Sequence, residues 1–187
     1  MNQDRLAPIP PAQWTDAQRA CAQEIIDGPR GALISPFLPM LRSPELTAHM
    51  QRLGEYLRYR SAIGLRLSEL AILVVARHWN QPVEWAIHAP IAAREGIAQQ
   101  AIDDIGHGRD PADLKSDEQL VYMFSKTLLN RQDIDDALWQ AAIDTLGEPG
   151  VVDLVGVNGY YANLAMLMNA ARTPTPAALD QAVLPSL

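Results

Sequence analysis

Three side chains in one stretch of the chain, Glu69, Glu84 and His88, have the types and spacing that proton-transfer chemistry needs. Positions 69, 72, 73 and 76 share one helical face, and the other three are Ile72, Leu73 and Ala76. A carboxylate held among apolar groups loses hydration, its pKa rises, and it exchanges protons near neutral pH. The plainer alternative is an acidic first-turn residue that serves the helix dipole or pairs with Arg66. Glu84 and His88 are four apart, so on a helix one side chain lies above the other and the carboxylate can fix the imidazole tautomer and raise its basicity. An isolated Glu-x-x-x-His is more often a solvated surface pair. A metal is not expected, because these ligands leave a coordination sphere incomplete and no partner His or Asp stands at recognisable spacing. His49, His78 and His107 read as ordinary helix or turn residues.

The elements that must position these groups follow from caps and periodicity. Thr15 with Gln18 is a capping box for a helix to about Asp27, which Gly28-Pro29-Arg30-Gly31 ends. Residues 28–43 read as an ordered loop whose apolar side chains need burial. Ser43-Pro44-Glu45 starts a second helix, with Leu46, Met50, Leu53 and Leu57 as its apolar stripe and an end near Gly64. Ser68 is the expected cap of the next, from Glu69 to about Trp79, whose apolar interior on all sides assigns it to the centre. Pro82 restarts the chain as a helix to Glu95, kinked at Pro90. Shorter predicted helices cover 98–105, 116–130 (capped by Ser116 with Gln119) and 135–146, closed by Gly147; a last long one covers 151–171, and the proline-rich tail 173–187 is expected to be loosely ordered. No stretch alternates like a strand, so the fold class is all-α, a single-domain bundle of about eight helices.

The spacing Glu69, Gln81, Glu84, His88 within LSELAILVVARHWNQPVEWAIHAPIAAREGI resembles the core motif of the carboxymuconolactone decarboxylase and alkyl hydroperoxidase D superfamily. The peroxidase branch of that superfamily has Glu, Cys, Cys and His at those spacings. Here Gln81 and Glu84 replace both cysteines, which removes the thiolate and points to the decarboxylase-like branch, where Glu-Trp-x-x-His is common; Glu84-Trp85-Ala86-Ile87-His88 fits it. The likeness extends over residues 30–172, through Gly147-Glu148 and Val152-Asp153-Leu154-Val155 to Gly159-Tyr160-Tyr161.

What the resemblance implies is a helical bundle of the alkyl hydroperoxidase D-like type, assembled as a homo-oligomeric trimer or hexamer, with a pocket between helices near a subunit boundary and no cofactor. The family reaction removes carbon dioxide from a carboxylated lactone of aromatic catabolism. In that scheme Glu69, Glu84 and His88 are the catalytic set, with His88 the proton shuttle, Glu84 its orienting partner and Glu69 its relay. Gln81, Trp85, Arg58 and Arg60 form the substrate-binding set, Trp85 as a wall that excludes water and Arg58 or Arg60 as the partner of a substrate carboxylate.

Composition narrows the remaining classes. The chain has 187 residues, 48% of them hydrophobic and 20% charged, which suits one self-sufficient globular domain. Net charge is -7, without a run of Lys and Arg that follows a phosphate backbone, so nucleic acid is not an expected partner, while a local Arg can still receive a small anion. Cys21 is the single cysteine, which excludes an internal disulfide and CxxC chemistry. The start Met1-Asn2-Gln3-Asp4-Arg5 lacks the pattern of a secretory signal and the apolar run 70–76 is too short for a bilayer, so a cytoplasmic protein without membrane partners is expected. The reading is a cofactor-independent, decarboxylase-like lyase acting on a small carboxylated lactone or related oxoacid. Its rivals are an isomerase or hydratase at the same site, a non-catalytic small-molecule-binding or stress-response protein, and a residual peroxidase using Cys21.

Overall fold

A helix that is apolar all round has to be wrapped by others, and residues 67–76 of α4 are buried without interruption. The computed structural model describes residues 3–179 and 182–187. Among them are eight α-helices and no strand: α1 Asp16–Asp27, α2 Phe37–Met40, α3 Pro44–Tyr59, α4 Gly64–His78, α5 Pro82–Arg94, α6 Gln99–Gly106, α7 Ser116–Arg131 and α8 Asp136–Ala171. α4 is the hub, packed against α3, α5, α6, α7 and α8, while α1 and α2 lie on α3. The core joins Leu70, Ile72, Leu73 and Val75 of α4 to Val121 and Phe124 of α7 and Leu154, Val157, Leu164 and Met168 of α8. Each such side chain contributes about 1.5–3 kcal/mol by leaving water.

Several predicted boundaries stand. Thr15 Oγ1 accepts from the Gln18 N–H and Gln18 Oε1 accepts from the Thr15 N–H, closing the box that starts α1. Ser43 and Pro44 open α3, and Pro82 is the first helical residue of α5, with Pro90 inside that helix. The loop 28–43 buries Phe37, Pro39, Met40 and Leu41, and part of it coils into the one-turn helix α2, which its prolines do not predict.

Other boundaries differ, each for a physical reason. The expected stripe of α3 is mostly outside: Leu46 is 54% and Leu53 44% exposed, and only Leu57 is fully buried. Thr47, Gln51 and Gly54 face inward instead, with Thr47 donating its hydroxyl to the Met40 carbonyl at 2.6 Å. Ser68 caps nothing. It is buried within α4, 3.2 Å from the Ser61 hydroxyl, because the helix begins four residues before it. Gly64 (φ +73°) turns the chain there, and Asp153 of α8 accepts the Ala62 N–H at 2.7 Å, holding the approach to the helix from a distant segment that local sequence does not reveal. The α7 cap falls one residue early, where Glu118 Oε2 accepts the Lys115 N–H at 3.0 Å.

The two predicted C-terminal helices are halves of α8, broken at Gly147 (φ 71°, ψ 166°), a conformation that only glycine adopts readily. α8 is long and apolar enough to cross a membrane, yet 56% of its apolar window is buried inside the fold as the inner wall of the bundle. The tail, expected to be loose, has one 3-10 turn at Ala177–Leu179 and then docks: Ala182 and Leu184 pack on the core and Arg77 donates to the Pro185 carbonyl at 2.7 Å. Asp180 and Gln181 of that tail, like Met1 and Asn2 of the N-terminal stretch read for a leader, lie outside the described residues.

Candidate active site

Glu69 sits in the second turn of α4, wholly buried, so the first-turn dipole reading does not apply. Nor does Arg66 reach it, because Arg66 pairs with Asp117 and Glu118 of α7. α5 supplies the other two groups. Gln81 caps that helix by accepting the Val83 N–H at 2.7 Å and donates to Asn169 of α8 at 2.8 Å, while Asn169 donates to the Trp79 carbonyl at 2.8 Å. These bonds tie the α4–α5 corner to α8 and fix where the next helical turn aims Glu84 and His88.

The three groups form a line. His88 Nδ1 lies 2.6 Å from Glu69 Oε2 and its Nε2 lies 3.3 Å from Glu84 Oε2, with all three residues no more than 3% exposed. Tyr161 meets the imidazole edge-on at 5.0 Å between ring centres. Burial disfavours the imidazolium, but the charge and hydrogen bond of Glu69, together with the Glu84 carboxylate 3.3 Å away, outweigh it and raise the His88 pKa to about 9. His88 is therefore protonated at neutral pH, clamped between two carboxylates. The ring nitrogens point to opposite sides, so the groups do not converge on a common centre, and the described residues contain no cluster of three or more His, Cys, Asp and Glu suited to a metal.

A small cavity adjoins this line. Its walls include Arg30, Arg58, Glu84, His88, Tyr160 and Tyr161, and residues 34–37 of the α2 loop roof it. The space open to water-sized molecules is about 20 Å³, room for roughly one water. Around it stand buried polar atoms without partners: Arg30 Nε and Nη2, Arg58 Nε, Tyr160 Oη and Glu84 Oε1, with Glu69 Oε1 behind. Native proteins satisfy nearly all such atoms, so the concentration here marks a place built for something polar. Arg58 Nε is 3.8 Å from Glu69 Oε1, close enough for charge attraction and too far for a hydrogen bond. Desolvation raises the Tyr160 and Tyr161 hydroxyls well above a phenol's usual pKa, so both stay neutral.

The remaining predicted residues divide. Arg58 lines the cavity. Gln81 is a helix cap, and Trp85 looks the other way, toward α6, where a methyl group on Gly106 would approach its Cζ2 to 2.9 Å. Trp85 is thus no wall of this cavity. Arg60 is outside, its side chain 65% exposed and 3.9 Å from Glu55. Sequence reasoning missed Arg30, which lies in a loop far from the motif, and Tyr160, whose signal was its place in the apolar face of α8. A larger cleft of about 230 Å³ beyond α4 includes Arg77, Arg109 and Lys126. Each of its cations has a partner, Arg109 in Asp104, Lys126 in Asp110 and Arg77 in the Gly106 and Pro185 carbonyls, and Arg77 Nε alone among their buried polar atoms lacks one. The larger group of unpartnered atoms is at the smaller cavity.

Comparison with protein-family descriptions, with curated proteins and with solved structures finds no match to this chain.

Proposed function

We propose that the chain is a cofactor-independent, decarboxylase-like lyase that moves a proton to carbon in a small carboxylated lactone or related oxoacid. The observation that carries the reading is the buried line Glu69–His88–Glu84 ending on an unpartnered Glu84 oxygen at a cavity with arginine in its wall. Loss of carbon dioxide leaves an electron pair that an adjacent carbonyl delocalises, and carbon then needs a proton. His88 holds one. Both its nitrogens are occupied by carboxylates, so Glu84 is the group that meets the substrate, and His88 supplies it from behind with Glu69 holding the imidazolium in place. Arg58 offers an N–H to the developing enolate or to the carboxylate. The resemblance of the 69–96 stretch to carboxymuconolactone decarboxylases supports this assignment, and with it a homo-oligomeric assembly.

Purified protein given carboxymuconolactone, or a panel of small oxoacids, should release carbon dioxide, and Glu84→Gln should slow release by about 100-fold or more without lowering the melting temperature. Wild-type rates in Glu84→Gln would rule out its role. A second reading, a small-molecule-binding protein without turnover, is favoured by the tightness of the cavity. Ligand-dependent thermal stabilisation with no product over hours would select it.

A further inference from the structure

An arginine that receives a carboxylate side-on uses the parallel N–H groups of Nε and one Nη. Arg52 shows that geometry filled, donating from Nε to Glu24 Oε1 at 2.7 Å and from Nη2 to Glu24 Oε2 at 3.0 Å. The same edge of Arg30, Nε and Nη2, is buried at the cavity and makes no well-formed hydrogen bond, with Tyr160 Oη its near polar neighbour. Leaving both N–H groups of a charged group dry and unpaired is costly, and a water or an anion relieves it.

The surroundings hold that edge in place. The guanidinium lies over the Phe37 ring, with Cζ 4.7 Å from its centre. A methyl group built on Gly54 would lie 2.1 Å from Tyr160 Oη and 2.7 Å from Arg30 Nη2, so α3 needs glycine there for both polar atoms to reach the same spot. Tyr160 Oη is also buried and unpartnered. Arg30 and Tyr160 together offer three N–H and O–H groups to one small, flat acceptor, and Glu84 Oε1 is an unpartnered carboxylate oxygen in the same cavity wall.

We infer that Arg30 and Tyr160 form the carboxylate-binding subsite, so that the ligand is a small carboxylic acid whose carboxylate head replaces the one water the cavity has room for and sits on the Arg30 edge, the rest of the acid lying outside that space. The inference rests on the reading of this cavity as the substrate site and names the group that selects the substrate. Arg30 is a binding residue; Glu84 remains the proton-transfer group. A carboxylate on Arg30 also fixes which part of the substrate can reach Glu84.

The test uses the full chain with acetate and its neutral isostere acetamide, binding followed by chemical-shift titration in chloride-free buffer. Acetate should bind at least tenfold more tightly than acetamide. Arg30→Met should weaken acetate at least tenfold and leave acetamide unchanged, Arg30→Lys should fall between because it keeps the charge and loses the fork, and the exposed Arg94→Met should match wild type. Equal affinity for acetate and acetamide, or unchanged acetate binding in Arg30→Met, would overturn the inference. Should Arg30→Met fail to fold, the wild-type comparison and Arg30→Lys decide the matter. The two readings separate in Glu84→Gln: full turnover there with acetate binding still dependent on Arg30 removes the proton-transfer reading alone. Lost turnover there, with KM and acetate binding unaffected in Arg30→Met, removes this one alone.

Discussion

With a carboxylate on each nitrogen, His88 gains its stability from its proton, and that ties folding to pH. Its folded-state pKa of about 9 exceeds that of a free imidazole, near 6.5, so the native state binds the proton more tightly than the unfolded chain does. The stabilisation is fully present below about pH 6.5 and disappears as pH rises through about 9. The difference corresponds to at most on the order of 3 kcal/mol. Urea unfolding at pH 6, 7.5 and 9 should show wild type losing stability across this window relative to His88→Gln; parallel curves would mean that the imidazole is neutral in the folded protein. At this scale the sequence was informative where spacing sufficed. Glu69 announced itself by an apolar helical face, and Glu84 and His88 by their i, i+4 relation. Their order in space, with His88 in the middle, needed the packing of α4 on α5. Arg30 had no sequence signal, because its partners come from α2, α3 and α8.

Among elements, the breaks are as informative as the helices. Gly147 interrupts α8 with φ 71° and ψ 166°, the position where its glycine alone predicts a helix end. Gly147→Ala should destabilise the protein by about 1–3 kcal/mol, since a side chain is strained in that region of backbone space. A lower urea midpoint with an unchanged m-value would show it, whereas an unaltered midpoint would mean that the break relaxes at no cost. Starts supported by neighbouring residues, such as Thr15 with Gln18, were legible. The start of α4 was not, because its support comes from Asp153 on another helix. The inward face of α3 was hidden for a related cause: Thr47 and Gln51 find polar partners in Met40 of α2 and Glu24 of α1, and Gly54 admits Tyr160, so apolar periodicity pointed away from the true interior.

For the whole molecule, α4 is both the structural hub and the carrier of Glu69, so core packing and site geometry depend on the same helix. Leu73, fully buried one turn beyond Glu69, tests this coupling. Leu73→Ala should cost about 2–5 kcal/mol in urea unfolding, the usual range for a leucine deleted from a packed interior. A loss under 1 kcal/mol would mean that the surrounding helices close around the gap. The all-α class and the central place of this helix were legible from unbroken apolarity and the lack of alternation. The docking of the tail was not, since it depends on Arg77 finding the Pro185 carbonyl across the chain.

The line of ionisable groups has one open end. Glu69 is walled in on α4, and only Glu84 meets the cavity with a free oxygen. On the proposed reaction this line would be a cul-de-sac, storing a hydrogen and handing it back without conducting one through the protein. A hydrogen passing by this route would reach the substrate from one side, so a new C–H bond would be made on a single face, and a product with a stereocentre there would be formed in one hand.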